Sequence, residues 1–150
     1  MKKLLVSLVC FVLAFSLCGC GNFTLDTAAL ETEVIENIKF DAPLEKIDNE
    51  NTINVFYSLP EKGSAIVYRG SSISADQFCI FTAEDSTGAD ETEAMANSLI
   101  ESLKDTFSSY DPEEVTKLNS AIVRKKGNYV VLLVTNDYDN ANKILDNYLA

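Results

Sequence analysis

Apolar side chains recur along this chain with two different periods, and the period separates predicted helices from predicted strands. Repeats of three or four residues, as at Met95, Leu99 and Leu103, predict amphipathic helices that bury one face. Such repeats predict helices over about residues 27–39 and 90–107, a shorter helix from 112, and a C-terminal helix capped by Asn136 or Asp137. Residues 44–60 fit either period, and we favour a short helix there.

Four short runs lack the helical period and are rich in β-branched and other apolar residues, which is typical of strands. They cover residues 65–68, 77–82, 121–123 and 129–134. The second and fourth runs are apolar on both faces, so we expect them inside a sheet. Gly127 and Asn128 separate the last two runs, and this pair predicts a tight hairpin of type II′.

The predicted elements follow the order α-α-β-β-α-α-β-β-α, in which hairpins and helices are segregated along the chain. This order predicts an α+β fold, with an antiparallel sheet of about four strands in two hairpins and helices packed on one side. A chain of 150 residues suits a single globular domain, which we assign to residues 27–150.

The N-terminal residues differ in composition from the rest of the chain. Met1, Lys2 and Lys3 are followed by an apolar run from Leu4 to Leu17. A helix that crosses a bilayer needs ~20 apolar residues, so this run is short for a permanent span. A basic start, a short apolar run and small residues after it are typical of a secretory signal peptide. An uncleaved membrane helix is the less favoured alternative.

The end of the apolar run reads Leu17-Cys18-Gly19-Cys20 and resembles the lipobox of bacterial lipoproteins. The resemblance implies a signal peptide over residues 1–19, cleavage after Gly19, and a diacylglyceryl group on the Cys20 sulfur. It further implies a domain anchored at the outer face of the cytoplasmic membrane, with residues 20–26 as a short tether. Cys18, in place of Ser or Ala, is the one departure from the pattern.

Acidic side chains dominate the charge of the predicted mature chain. Loss of Lys2 and Lys3 leaves 10 of the 12 basic side chains against 23 acidic ones, a balance of −13. Such a charge opposes binding to nucleic acid and attraction to anionic lipid headgroups. We therefore expect the lipid on Cys20 to be the membrane contact.

Several kinds of catalytic and metal site are excluded by composition. The chain has no His, which excludes Ser-His-Asp and Cys-His catalysis and His-ligated zinc. Cys79 is the one thiol left after processing and lipidation, and its apolar neighbours favour a buried, inert side chain. The oxygen-rich stretch 137–142 departs from a calcium-binding loop and favours a helix start. We predict neither a cofactor nor a metal site.

Arg124, Lys125 and Lys126 form the one basic run in this acidic chain. The simpler interpretation is a solvated strand end whose charge keeps the protein soluble. The alternative is a contact patch for anionic envelope polymer or lipid headgroups.

The segment from Phe107-Ser-Ser-Tyr110-Asp-Pro112-Glu-Glu through Ala121-Ile-Val123 to Gly127-Asn128-Tyr129 carries a family resemblance. It resembles uncharacterised domain-of-unknown-function lipoproteins of clostridia-like Gram-positive bacteria, over about residues 26–150. The resemblance implies an exported, anchored domain, and it supplies no catalytic residues.

Together these features favour a non-enzymatic binding or interaction module whose partner is an envelope protein or polymer. Two alternatives stay open. A small-molecule receptor would have an apolar cavity between the helix at 90–107 and the sheet. A carboxylate-dependent enzyme acting on wall polymer would have a pair of acids in a cleft.

Overall fold

The computed structural model describes residues 23–59 and 63–150. The predicted signal peptide, with Gly19 and Cys20, lies outside these residues. The described elements are, in chain order, α1 (Thr27–Asn37), β1 (Glu45–Lys46), α2 (Glu50–Tyr57), β2 (Ser64–Arg69), β3 (Gln77–Thr82), α3 (Ser86–Ser108), α4 (Pro112–Asn119), β4 (Ile122–Lys126), β5 (Tyr129–Val134) and α5 (Tyr138–Leu149). No helix in the described part of the chain is long and apolar enough to cross a membrane.

All strand pairs are antiparallel, and the order across the sheet is β1-β2-β3-β5-β4. The two runs that are apolar on both faces, β3 and β5, pair with each other inside the sheet, with Cys79 opposite Leu132. The predicted α+β class with an antiparallel sheet is confirmed. The fifth strand, β1, has two residues and lies in the ambiguous region, where α2 is the short helix predicted there.

Helices cover both faces of the sheet, so the expectation of helices on one side is wrong. Cys79 and Phe81 of β3 pack with α2, α3 and α4 on one face, which we call the three-helix face. Phe78 and Ile80 of the same strand pack with α1 and α5 on the other face. Because β3 and β5 are apolar on both sides, each side needs a layer that excludes water.

Local side-chain chemistry sets where the helices begin. Asp26 accepts a hydrogen bond from the Ala29 amide at 3.0 Å and caps α1. Asp85 does the same for the Gly88 amide at 2.9 Å, so α3 begins at Ser86, earlier than predicted. An N-cap of this kind satisfies amides that the helix leaves without partners. The oxygen-rich stretch from Asp137 forms the start of α5.

The turn between β4 and β5 has the geometry that its sequence predicts. Lys126 pairs with Tyr129, which leaves Gly127 and Asn128 as the two central residues. Gly127 has a φ of 57°. Asn128 is not among the described residues whose φ is positive. A positive φ at the first central residue alone is what a type II′ turn requires.

The residues ahead of α1 belong to the folded domain. Leu25 is buried in the core of the α1 and α5 face. The ring of Phe23 meets the Tyr129 ring edge-on, with 6.0 Å between centroids, and the Lys126 ammonium lies 4.7 Å from the Phe23 centroid. Residues 23–26, which the sequence assigns to the tether, therefore pack against the domain, with Phe23 beside the β4–β5 turn.

Candidate functional site

The candidate site lies at the end of the sheet opposite the β4–β5 turn. Arg69 ends β2 and pairs with Gln77 at the start of β3, and Gln77 pairs with Val134 at the end of β5. The loop over residues 70–76 joins the first two strands at this end. Two cations, Arg69 and Lys117, lie beside this loop in different surroundings.

The Lys117 side chain is buried and lies beside three carboxylates. Its Nζ is 2.9 Å from Asp41 Oδ2, 3.1 Å from Asp76 Oδ1 and 3.0 Å from Glu114 Oε1. Lys117 and Asp76 are 2 % and 1 % exposed. Burial alone would lower the pKa of Lys117, but hydrogen bonds to Asp41, Glu114 and Asp76 outweigh it and raise the pKa above its ordinary value. The ammonium therefore stays charged at physiological pH.

The same carboxylates fasten the surrounding backbone. Asp76 Oδ2 accepts hydrogen bonds from the Ala42 amide at 2.9 Å and from Ser74 Oγ at 3.0 Å. Glu114 Oε2 accepts from the Ala75 amide at 2.6 Å. The ion cluster thus ties together the segment before β1, the 70–76 loop and α4. Since its charged groups are already engaged with one another, its role in the structure is that of a clamp.

Arg69 borders an open cleft of about 350 Å³ between the end of β2 and the end of α3. Its guanidinium carbon lies 4.4 Å from the centroid of the Phe56 ring, a cation–π contact. Phe56 is 50 % exposed and Tyr110 is 55 % exposed. The cleft is lined by Glu45, Ile47, Phe56, Arg69, Gly70, Ser72, Leu103, Thr106, Phe107 and Tyr110.

Arg69 makes no ion pair or side-chain hydrogen bond with any residue in the two described ranges, 23–59 and 63–150. Glu45 is its partner across the β1–β2 pair, so both side chains leave the sheet on the three-helix face. The two charged groups nonetheless stay beyond ion-pair distance. The cleft therefore presents an unpaired guanidinium within an apolar and aromatic wall.

A series of buried, hydrogen-bonded side chains lies beneath Arg69. Cys79 Sγ donates to the Tyr57 hydroxyl at 3.5 Å, and that hydroxyl donates to Gln77 Oε1 at 3.0 Å. Burial raises the pKa of the Cys79 thiol to about 12, against a smaller lowering by the Tyr57 hydrogen bond. Burial likewise raises the pKa of Tyr57 above its ordinary value. The prediction of a buried Cys79 is confirmed, and neither group ionises at neutral pH.

The basic run predicted as a contact patch lies on the edge strand β4, where its side chains are dispersed. Arg124 pairs with Asp146 and reaches Asn142 Oδ1 at 2.7 Å, both on α5. Lys125 points to the other face of the sheet and pairs with Asp90 and Glu93 of α3. Lys126 donates to the Ala150 oxygen and lies over the Phe23 ring. Each cation has an intramolecular partner, and a shared role for the three in binding stays a prediction.

Sequence reasoning missed Arg69, Phe56 and Lys117. Arg69 is a single charge between an apolar strand and Gly70, and Lys117 adjoins Leu118 on the inward side of α4. No local signal marks Lys117, because its partners Asp41 and Asp76 lie far away along the chain. The same holds for Arg69, because its neighbours in the cleft come from distant parts of the chain.

Comparison with known proteins gives one family match. A model described as "Domain of unknown function (DUF4358)" matches residues 36–135, which include Arg69, Lys117 and all the residues that line the cleft. No curated protein and no solved structure matches the chain.

Proposed function

We propose, from the premise that the chain belongs to the DUF4358 family of domains of unknown function, that it is a lipid-anchored module of the cell envelope. In this proposal Cys20 carries the anchor, the domain lies at the outer face of the cytoplasmic membrane, and its role is to bind an envelope component without catalysis. The resemblance of the sequence to exported lipoproteins of clostridia-like Gram-positive bacteria supports this proposal.

The packing of Phe23 supports an orientation for such an anchored domain. Phe23 lies three residues after Cys20 and packs beside Gly127, where an added Cβ would come within 3.3 Å of its side chain. Phe23 therefore lies at the β4–β5 turn, and the Arg69 cleft lies at the other end of six-residue strands, ~20 Å away. An anchor at Cys20 would direct the cleft away from the membrane.

The observation that carries the binding role is the cleft itself. An exposed large apolar side chain is common on proteins and needs no explanation when it stands alone. Here Phe56 and Tyr110 flank one cleft, and Ile73, at 72 % exposure, follows the cleft residue Ser72. Grouped exposed apolar residues beside an unpaired cation are typical of an interaction surface.

The cleft also favours the small-molecule receptor among the alternatives. Its volume of about 350 Å³ is at the small end of the ~300–1,000 Å³ usual for ligand pockets. Leu103 and Phe107 of α3 line it, close to where the sequence places a receptor cavity. We propose no enzymatic role, since the acids that cluster in the described residues are bound to Lys117 and to backbone amides.

Two measurements test the proposed function. The first is fractionation of cells that express the full chain or its Cys20→Ser variant, with metabolic labelling by a fatty acid. We expect label and membrane retention for the natural chain and loss of both for the variant. A Cys20→Ser protein that stays with the membrane as firmly as the natural chain would contradict the anchor.

The second measurement is photocrosslinking in intact cells. A photoreactive residue replaces Ser72, which lines the cleft, or Asn147, which is exposed on α5 at the opposite face. We expect a reproducible crosslinked product from position 72 and none from position 147. Equal products from both positions, or none from either, would remove the cleft as the binding surface.

A further inference from the structure

We infer that the Arg69 cleft binds a small carboxylate carried on an aromatic or branched apolar group, with the guanidinium as the partner of the anion. This inference rests on the proposed binding role and names the chemistry of its ligand. It follows from the free donors of Arg69, the apolar walls of the cleft, and the position of Glu45.

The Arg69 side chain has hydrogen-bond donors without a partner among the described residues. The guanidinium carbon lies 4.4 Å from the centroid of the Phe56 ring. The five N–H donors lie in the guanidinium plane, and no acceptor within the described ranges engages them. A planar fork of this kind matches the two oxygens of a carboxylate, and charge-assisted bonds of this type are among the strongest hydrogen bonds in proteins.

The cleft has an apolar wall that suits the apolar body of the ligand. Leu103, Phe107 and Tyr110 form an apolar wall, and the Phe107 and Tyr110 rings pack with 5.2 Å between centroids. A ligand with an aromatic or branched group would bury it against this wall while its anion meets Arg69. The volume of about 350 Å³ suits a small molecule.

Glu45 lines the same cleft and lies across the strand pair from Arg69. Its carboxylate does not form an ion pair with the guanidinium. A ligand carboxylate bound to Arg69 would be repelled by Glu45. Removing the charge of Glu45 should therefore strengthen binding, whereas removing that of Arg69 should weaken it.

One wall of the cleft is held in place by hydrogen bonds and by the ion cluster around Lys117. Gly70 lines it, and the Gly70 amide donates to the Asp76 carbonyl at 2.8 Å. Asp76 is held in turn by Lys117, so the ion cluster fixes one wall of the cleft before any ligand arrives. A pre-formed wall reduces the entropy that a ligand must lose on binding.

The test is isothermal titration calorimetry with the full chain in lipid nanodiscs. Three probes are compared: N-acetyl-phenylalanine, its neutral amide, and N-acetylglycine, which has the carboxylate without the apolar body. Because one charge-assisted interaction is lost in the amide and one apolar contact in the glycine derivative, we expect N-acetyl-phenylalanine to bind about tenfold more tightly than either.

Variants of the chain assign the effect to the cleft. We expect Arg69→Gln to reduce the affinity for N-acetyl-phenylalanine to that for the amide, and Arg69→Lys to retain part of the preference, since it keeps the charge without the fork. Glu45→Gln should raise the affinity by several-fold. Arg124→Gln, which removes the other arginine from the same sheet, is the matched control and should change nothing.

The outcomes separate this inference from the proposed function. Equal binding of the acid and the amide, unchanged in Arg69→Gln, would overturn the carboxylate preference while leaving a binding cleft in place. Failure of all three probes to bind would overturn the ligand class, and the crosslinking comparison of positions 72 and 147 would then decide whether the cleft binds at all. Circular dichroism of each variant separates a loss of binding from a loss of folding.

Discussion

Lys117 and Arg69 lie at the same end of the sheet, beside the same loop, and have opposite surroundings. Three carboxylates enclose Lys117, which is 2 % exposed. Arg69 is half-buried and has one aromatic ring as its partner among the described residues. An ammonium has three donors and is satisfied by three acceptors, so Lys117 has nothing left for a ligand. The comparison teaches that a cation whose donors are all engaged by carboxylates is not available to a ligand.

Replacement of Lys117, the enclosed cation, should have the largest effect on the free energy of unfolding. Lys117→Met leaves the buried Asp76 and the partly buried Glu114 without a counter-charge. Breaking a buried ion pair in this way costs ~3–5 kcal/mol, and we expect a loss of that size in the free energy of unfolding. Urea denaturation followed by circular dichroism measures it, because the chain has no Trp.

Lys143→Met is the matched control for this substitution. Lys143 is exposed on α5, and its replacement should change the free energy of unfolding by less than ~0.5 kcal/mol. If Lys117→Met cost under about 1 kcal/mol, the ion cluster would not be the clamp described above.

The carboxylates of the cluster should contribute to the free energy of unfolding in the order of their burial. Asp76 has a fully buried side chain, and that of Asp41 is 54 % exposed. Asp76→Asn removes the charge and one acceptor from buried donors, so we expect a loss of ~2–3 kcal/mol. Asp41→Asn should cost less than ~1 kcal/mol, because water screens an exposed pair. The same denaturation experiment compares them, and equal losses would show that exposure does not rank these groups.

Alkaline pH tests the role of Lys117 by removing the charge of its ammonium group. Folding raises the pKa of Lys117 above the 10.5 of an unperturbed lysine. Its contribution to stability is therefore complete below pH 10.5 and is lost as the pH rises through the folded-state pKa. The difference in stability between the natural chain and Lys117→Met should stay constant from about pH 8 to 10 and narrow above that. A difference that widens with rising pH would reverse the assigned sign.

The elements that local patterns dictate could be predicted from the sequence. The strands β3 and β5 follow from uninterrupted apolar runs, and the turn at Gly127 and Asn128 follows from a dipeptide whose backbone preferences are local. The α+β class and the order of the elements came from the same patterns. The layer on the second face could also have been inferred, since strands that are apolar on both sides need two covering layers.

The strand β1 and the two cations could not be predicted in this way. Glu45 and Lys46 form a strand only because β2 offers a free edge, which no local pattern records. Lys117 finds Asp41 and Asp76 far away along the chain, so its local sequence resembles any solvated charge. The cleft is likewise assembled from α2, β2 and α3, and a single sequence does not show how they meet.

The smallest expected effect concerns the stability contribution of Arg69. Its contact with the half-exposed Phe56 ring contributes at most ~0.5–1 kcal/mol, and the described residues provide it with no counter-ion to lose. We therefore expect Arg69→Gln to change the free energy of unfolding by less than ~1 kcal/mol, several-fold less than Lys117→Met. Phe56→Leu, which removes the ring and keeps an apolar side chain, should reproduce the same small change, and the double variant should add little, since both substitutions delete one contact. A large loss from Arg69→Gln alone would mean that Arg69 is a structural cation like Lys117, and the cleft would then lack the spare donor on which its proposed chemistry depends.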